Sequence, residues 1–388
     1  MNRHFIGMMS GTSLDAVDGV LVAFDSAGLA PQLIKRYSVN IPNPLKALLT
    51  FLAHSETLTF RQLAEAEDGL TRLYADCALQ LLESLPAEQQ PVAMGCHGQT
   101  LEHQPNLSPS YTLQLLNPSL LAELTGQNIV ADFRRRDLAA GGQAAPLAPA
   151  FHNSVFRSAD KDRIIINLGG IANLTFLPKN SQQAVIGFDT GPANLLLDAW
   201  YQQHWQAPFD TDGLKAATGK VITQLLSLAL TDEYFAKPAP KSTGREKFNP
   251  EWLAGLLAEC LEKENLKKEC LEKKSLEKAW SPVDVLRTLV ELTAVSLIEE
   301  IKLLDPQAQA ELYICGGGWQ NSFLIERITA LATPRQLNST EILGIPPQDV
   351  EAAAFAWLAW RHCNHKSGNL PSVTGATGER VLGGFYPA

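Results

Sequence analysis

Short apolar runs alternate with longer stretches of helical period along the first half of the chain. HFIGMMS and DGVLVAFD have the length of strands and flank GTSLDA, a turn of small residues, so the three together predict a hairpin. QLIKRYSVN predicts a third strand. PLKALLTFLA and FRQLAEAEDGLTRLYADCALQLLESL then read as helices, the second placing Leu63, Leu70, Leu73, Tyr74 and Leu81 near one stripe. PVAMGC predicts a strand ending at His97, YTLQLL another strand, and NPSLLAELTG a short helix with Gly126 as its C-cap.

The second half repeats this grammar. IIINLGG, ANLTFL and AVIGFD predict three strands in close succession, followed by a helix from Leu195 to Trp205 and a long helical region from Pro282 to Leu304. ELYICGGG is a strand entering a glycine loop, NSFLIERITALA the helix after it, and VEAAAFAWLAW the last helical segment. Strands come first and helices later in both halves. That order predicts two α/β halves with mixed sheets, a cleft between them, and an enzyme that closes on a hinge. One segment stands apart: CLEKENLKKE, from Cys260 to Glu269, is echoed by CLEKKSLEK, from Cys270 to Lys278. It reads as a charged helical insertion with many i,i+4 pairs, or as a partner-binding helix.

Composition narrows the class. The 388 residues are 45% hydrophobic, which suits two globular domains or one large α/β unit. A net charge of −9 excludes a general polyanion binder, so no nucleic-acid partner is expected and a phosphate must be held by local donors. The six cysteines show no C-x-x-C pair, which argues for free thiols in a reducing cytoplasm rather than zinc or a disulfide framework. A Gly/Thr/Asp motif at Gly11 comes too early for a signal peptide, and no apolar run reaches membrane-span length.

Several turns are candidates for chemistry. GTSLDAVDG reads either as a backbone nest for an anion, with Thr12 and Ser13 adding hydroxyls and Asp15 and Asp18 ordering magnesium through water, or as an ordinary polar turn. The Walker A spacing is absent. IINLGGIANLTF offers Gly169 and Gly170 as a second phosphate clamp or as a glycine hairpin without ligand. GGGWQN, with Gly316, Gly317 and Gly318, suits close backbone approach to a flat ligand such as adenine. HGQT, His97 to Thr100, follows a buried strand at the end where α/β proteins place ligand groups, or its histidine is a satisfied one under a loop. ADFRRRD sets Arg134, Arg135 and Arg136 on a strand or turn, where at most two reach one site and one can clamp a carboxylate.

GFDTGPAN raises the sharpest question. Asp189 ends the strand AVIGF before a Gly-Pro turn, where a carboxylate can be partly desolvated yet open to a cleft, as a general base requires. An aspartic protease would need a second Asp-Thr-Gly or Asp-Ser-Gly to share the proton, and FDSAG near Asp25 lacks the glycine directly after serine. That reading falls. Asp189 as a cap for a helix beginning near Ala193, with Pro192 in its first turn, stays open.

MSGTSLDAVD, GCHGQT, ADFRRRDLAAGGQAAPL, NLGGIANLT, GFDTGPAN, CGGGWQN and GNLPSVTGA together resemble the anhydro-N-acetylmuramic acid kinase family, in the family's order and across nearly the whole chain. The resemblance implies two actin-like (ribonuclease H-like) α/β domains with mixed sheets flanked by helices and an interdomain ATP/sugar cleft. It puts the first domain at 1–130 with roughly 370–388, and the second at 131–369 with the charged insertion at about 260–279. It also implies a homodimer, ATP and Mg²⁺, and an amino-sugar substrate from cell-wall recycling. In the implied reaction water opens the anhydro bridge at C1 and O6 takes the γ-phosphoryl group, giving N-acetylmuramic acid 6-phosphate.

Carried over residue by residue, Asp189 is the base for that water. Gly11, Thr12, Ser13, Leu14, Asp15, Ala16, Val17 and Asp18 form the first phosphate loop. Gly169 and Gly170 form the second, and Gly316 to Gly318 approach the adenosine. His97, Thr100, Arg134 and Glu351 lie near the sugar, the arginine suiting a lactyl carboxylate. Glu351 also reads as a first-turn glutamate complementing its helix dipole. Three positions depart from the family pattern: Leu14 for the usual Met, and Ala16 and Ala144 for the usual Gly. An alanine at positive φ costs roughly a kcal/mol. Two other functions compete: an ATP-driven switch without sugar chemistry, and an ordinary hydroxyl kinase acting on an amino sugar.

Overall fold

β1 (Arg3–Ser10) and β2 (Ala16–Phe24) form the expected antiparallel hairpin, and β3 (Gln32–Asn40) pairs antiparallel beyond β2. The computed structural model describes residues 3–11, 13–55, 57–263 and 280–388. Further along the first part of the chain come β4 (Pro91–Cys96), β5 (Gln99–Gln104), β6 (Tyr111–Leu115) and β7 (Ile129–Ala131). β4 runs parallel to β1, and β7 parallel to β4. β5 and β6 make a separate two-stranded sheet.

The second region holds β8 (Arg163–Leu168), β9 (Ile171–Leu177), β10 (Ile186–Pro192), β11 (Glu311–Cys315) and β12 (Leu337–Ser339). At the C-terminus, β13 (Gly384–Tyr386) pairs antiparallel with β7. The larger sheet has the order β13-β7-β4-β1-β2-β3, and the other the order β10-β9-β8-β11-β12. Without β13 the two orders are the same: a three-stranded antiparallel meander whose first strand continues into two parallel strands. The chain is therefore α/β, with mixed sheets flanked by helices in both regions.

β1 and β2 read as continuous apolar runs because helices cover both faces of their sheet. On one face lies the helix Phe60–Leu82, opened by a capping box at Thr59 and Gln62. A Cβ on Gly19 would meet its Cys77 Sγ at 2.8 Å and Leu81 Cδ1 at 2.9 Å. On the other face the helix Val350–Cys363 comes so near that a Cβ on Gly7 would overlap the Ala352 carbonyl oxygen, and one on Gly95 the Phe355 carbonyl oxygen. Backbone cannot move aside as a side chain can. Gly95→Ala is expected to lower the unfolding free energy by about 1–3 kcal/mol, read as a lower urea midpoint at unchanged slope.

The described chain divides into two units, Met1–Arg157 with Glu341–Ala388, and Ser158–Thr340. These boundaries differ from those expected at 130/131 and near 369/370. The reason is packing. The helices Phe133–Ala139, Ala148–Val155 and Val350–Cys363 belong to the first unit's core, where Phe133 meets Phe355 at 5.7 Å and Phe151 meets Trp357 at 5.9 Å between ring centroids. Of the charged near-repeat, Cys260–Lys263 closes the helix Pro250–Lys263, and the remainder lies outside the described residues. No helix among the described residues is long and apolar enough to cross a membrane.

Candidate functional site

In the first unit the turn after β1 is closed by the Leu14 N–H donating to the Gly11 carbonyl (3.2 Å), with Leu14 at φ 55°. A Cβ on Gly11 would meet nothing nearer than Ser13 Oγ at 3.8 Å, so this backbone is open to a ligand. Ala16, Val17 and Asp18 already belong to β2, and the side chains of Leu14 and Val17 are core. Ala16 sits in extended backbone opposite Asn40, so the strain feared for an alanine there does not arise. It arises at Ala144, whose φ is 56°. Thr12 lies outside the described residues.

Magnesium has a narrow choice of partners in this turn. Asp15 Oδ1 accepts from Lys46 Nζ at 2.7 Å, and its side chain remains 60% exposed. Asp18 accepts the Ser38 hydroxyl across the β2–β3 pair. No cluster of three or more His, Cys, Asp or Glu suited to a metal occurs among the described residues. The donor set fits an ion that keeps most of its shell from water and phosphate, with Asp15 the carboxylate better placed to order it.

A second group in the same unit is built around Arg134. The run of arginines is helical rather than extended, so consecutive side chains fan around the axis and Arg134 alone turns inward. Its Nε donates to His97 Nε2 (3.0 Å) and its Nη1 to the Ala144 carbonyl (2.7 Å). Burial pulls the guanidinium down to about 10, while the carboxylates of Glu351 and Asp137 favour its charge. His97 is buried, packs tilted against Phe355 with ring centroids 4.7 Å apart, and is held neutral well below the usual imidazole range by burial first and the Arg134 charge second. Since Nε2 accepts from arginine, the ring proton sits on Nδ1. Thr100 stands on β5, where its Oγ1 accepts from Gln114 Nε2 of β6 at 3.2 Å. Glu351 occupies the first turn of Val350–Cys363.

In the second unit, the turn between β8 and β9 serves a helix. The carbonyls of Gly169 and Gly170 accept from the N–H groups of Ala193, Asn194 and Leu195, closing the start of the helix Asn194–Trp205. The amides of the turn, not its carbonyls, are what it can offer an anion. Of the three glycines after β11, two are required by the chain's own packing. A Cβ on Gly316 (φ 87°) would overlap Asn167 Oδ1, and one on Gly318 would meet Leu168 Cβ at 2.6 Å. Gly317 has open space, so it is the position that admits a flat ligand.

Asp189 does not end its strand. β10 runs on to Pro192, with an irregularity in its pairing to β9 between Asp189 and Gly191. Nor does Asp189 cap the following helix, whose N-cap is Ala193 with no side-chain cap bond. Its Oδ2 accepts from the Thr243 N–H (3.0 Å). Its N–H donates to the Lys241 carbonyl (3.0 Å), and its carbonyl accepts from Tyr234 Oη (2.6 Å). Part of the carboxyl surface stays accessible, yet the crowd of neighbouring atoms strips most of its hydration. That desolvation raises its pKa to about 7, the Thr243 hydrogen bond opposing and nearby Glu246 assisting.

A family model described as anhydro-N-acetylmuramic acid kinase matches residues 3–388. The chain belongs to that family. Proteins of the same description from Shewanella halifaxensis (strain HAW-EB4) and Shewanella amazonensis (strain ATCC BAA-1098 / SB2B) are 43% and 45% identical to it. The first match covers 100% of this chain and 99% of the relative, the second 99% and 98%. One from Coxiella burnetii (strain RSA 493 / Nine Mile phase I) is 43% identical over 99% of this chain and 97% of its own length. Members of the anhydro-N-acetylmuramic acid kinase family are phosphotransferases, and this chain is an enzyme of that class.

Two sets of residues that hold the candidate site carry no signal of their own in the sequence. Asp137 carries the Arg134 loop: its Oδ2 accepts from the Ala144 N–H (2.8 Å), and its Oδ1 from Asn369 Nδ2 (2.7 Å) and Thr374 Oγ1 (2.9 Å). The segment KSTGRE carries Lys241, Thr243 and Glu246 to Asp189. Asp137 ends the arginine run, but two of its three partners, Asn369 and Thr374, lie more than two hundred residues away in sequence. Lys241 follows Pro-Ala-Pro and reads locally as surface charge.

Proposed function

We propose that the chain opens 1,6-anhydro-N-acetylmuramic acid with water at C1 and transfers the γ-phosphoryl group of ATP to the released O6, with Asp189 as the base. The observation that carries this reading is the environment of Asp189. A carboxyl poised near neutrality, aimed by one backbone N–H and still partly accessible, suits general-base work. An acid whose only task was to cap or to pair would not need to be destabilised in its charged form.

Water oxygen bonds to C1 and gives a proton to Asp189. The C1–O6 bond breaks, its electron pair goes to O6, and O6 bonds to the γ-phosphorus as ADP departs. O6 starts as an ether oxygen without a proton, so the base belongs at the water and not at the phosphoryl acceptor. Phosphoryl transfer itself asks chiefly for alignment and charge stabilisation.

The other residues bind and orient. Arg134, held by His97 and the Ala144 carbonyl, presents a half-buried cation suited to the lactyl carboxylate. Thr100 and Glu351 offer oxygens for sugar hydroxyl and amide groups. Gly11, Ser13, Asp15, Gly169 and Gly170 offer backbone donors to phosphates, with Lys46 adding a cation beside Asp15. Mg²⁺, when bound with ATP, would supply charge neutralisation on the phosphoryl group, and Asp15 is the residue that would order its hydration shell. A homodimer is what the resemblance implies, and the free thiols at Cys77, Cys96 and Cys363 accord with a reducing compartment such as the cytoplasm.

The test is turnover of Mg-ATP and the anhydro sugar in ¹⁸O-water, with exchange of the free anomeric hydroxyl controlled. Label at C1 together with phosphate on O6 is expected. Phosphorylation of an open amino sugar with no turnover of the anhydro form would make the chain an ordinary hydroxyl kinase instead.

A further inference from the structure

One face of the helix Pro282–Leu304 carries Thr293, Ser296 and Glu300, spaced so that they stack along one side. Thr293 Oγ1 donates to the Pro192 carbonyl at the end of β10 (2.9 Å). Ser296 Oγ lies 3.2 Å from where a Cβ on Gly191 would stand. Glu300 Oε1 accepts from Lys241 Nζ at 2.6 Å, the two side chains being 11% and 3% exposed. Lys241 Nζ also donates to the carbonyls of Tyr234 (3.3 Å) and Phe235 (3.2 Å), which matches its three N–H donors to three acceptors. The same helix face thus grips β10 just past Asp189 and, one turn on, the segment that touches Asp189.

Every hydrogen bond described above for Asp189 comes from the segment Lys241 anchors. Its amide donates to the Lys241 carbonyl, its Oδ2 accepts from the Thr243 amide, and its carbonyl accepts from Tyr234, whose own carbonyl Lys241 holds. A buried ion pair gives little net stability over an apolar pair of equal volume. What it supplies here is a fixed geometry. We infer that the buried Lys241–Glu300 pair is a positioning device for Asp189, registering the Thr243 N–H against its carboxylate from the helix Pro282–Leu304. This inference rests on Asp189 being the base. The titratable neighbours that face Asp189 are Glu246 and Tyr234.

The decisive variant removes both charges at once, Lys241→Met with Glu300→Met, so that neither is left buried alone. It is expected to fold and melt close to wild type. KM for ATP should stay within about twofold while kcat falls about 10–100-fold, because an aimed group is lost and not a binding contact. The acidic limb of the kcat/KM profile should move to higher pH: losing the Thr243 hydrogen bond raises the Asp189 pKa, and any loss of the smaller Glu246 charge effect lowers it by less, with Asp189 still packed as before. Lys241→Arg, which keeps the cation, should retain most of kcat. If the double variant does not fold, Lys241→Met with Glu300→Gln, which leaves no charge buried and no anchor for the segment, is judged by the same criteria. A folded variant with wild-type kcat and an unmoved limb overturns the inference. Asp189→Asn separates the two failures: if that variant turns over normally, the base assignment is wrong; if it is inactive while the double variant matches wild type, only the positioning role is lost.

Discussion

Asp189→Asn should reduce kcat by about 10³-fold while leaving ATP binding within about twofold of wild type. Asparagine keeps an acceptor for the Thr243 N–H but cannot take a proton from water. The wild-type kcat/KM profile should rise through an acidic limb near pH 7, where burial has set the carboxyl of the free enzyme. The variant should lose that limb. Its stability should move the other way. The folded-state pKa, about 7, lies above the unfolded value of about 3.9, so the native state binds the extra proton and stability falls as pH rises between the two. Asparagine removes this cost. Asp189→Asn should therefore match wild type near pH 4 and exceed it by about 1–3 kcal/mol at pH 8, the figure discounted because part of the carboxyl meets solvent. Urea unfolding at both pH values checks it. A variant that gains nothing at pH 8 would mean the carboxyl is ordinary, and one that keeps wild-type kcat would mean it is not the base.

The elements with strong period were legible in the sequence. The helix Pro282–Leu304 runs between the residues expected, because Ser281 caps it by accepting from the Asp284 N–H and Pro282 suits its first turn. Gly126 closes its helix at φ 62°, as a C-cap glycine does. The meander β1-β2-β3 followed from apolar runs around a small-residue turn. β10 was harder, because Gly-Pro looks like a turn. Here Gly191, at φ 152°, lets the strand continue with the Phe235 ring 2.8 Å from where its Cβ would stand. The arginine run, expected on a strand or turn, is helical: Asp132 stands at its N-cap but, at φ 58°, makes no side-chain cap bond, so its presence in the sequence does not mark the helix start. The candidate site divided in the same way. Residues in compact motifs, such as His97 and Asp189, could be named in advance. Their supports could not, because Lys241 meets Glu300 and Asp137 meets Asn369 only through the fold.

Asp137→Ala should have the largest effect on stability. The carboxylate is fully buried and accepts three hydrogen bonds, from the Ala144 amide, Asn369 Nδ2 and Thr374 Oγ1. Alanine leaves three buried donors without that acceptor, at about 1–3 kcal/mol for each donor that finds no substitute. Some will relax toward water, so a total loss of about 3–5 kcal/mol is expected, seen as a large drop in urea midpoint. Asp137→Asn keeps the shape but turns an NH₂ toward donors, because all three partners donate; it should cost somewhat less and still more than a surface change. The functional consequence runs through Ala144. Its N–H is held by Asp137 and its carbonyl holds Arg134, so freeing the loop lets Arg134 drift from His97. If Arg134 grips the sugar, Asp137→Asn assayed well below its melting temperature should raise KM for the anhydro sugar by about tenfold with KM for ATP unchanged. A folded Asp137→Asn variant with wild-type KM for the sugar would show that the Arg134 loop keeps its place without this carboxylate, and that Arg134 is aimed by His97 alone.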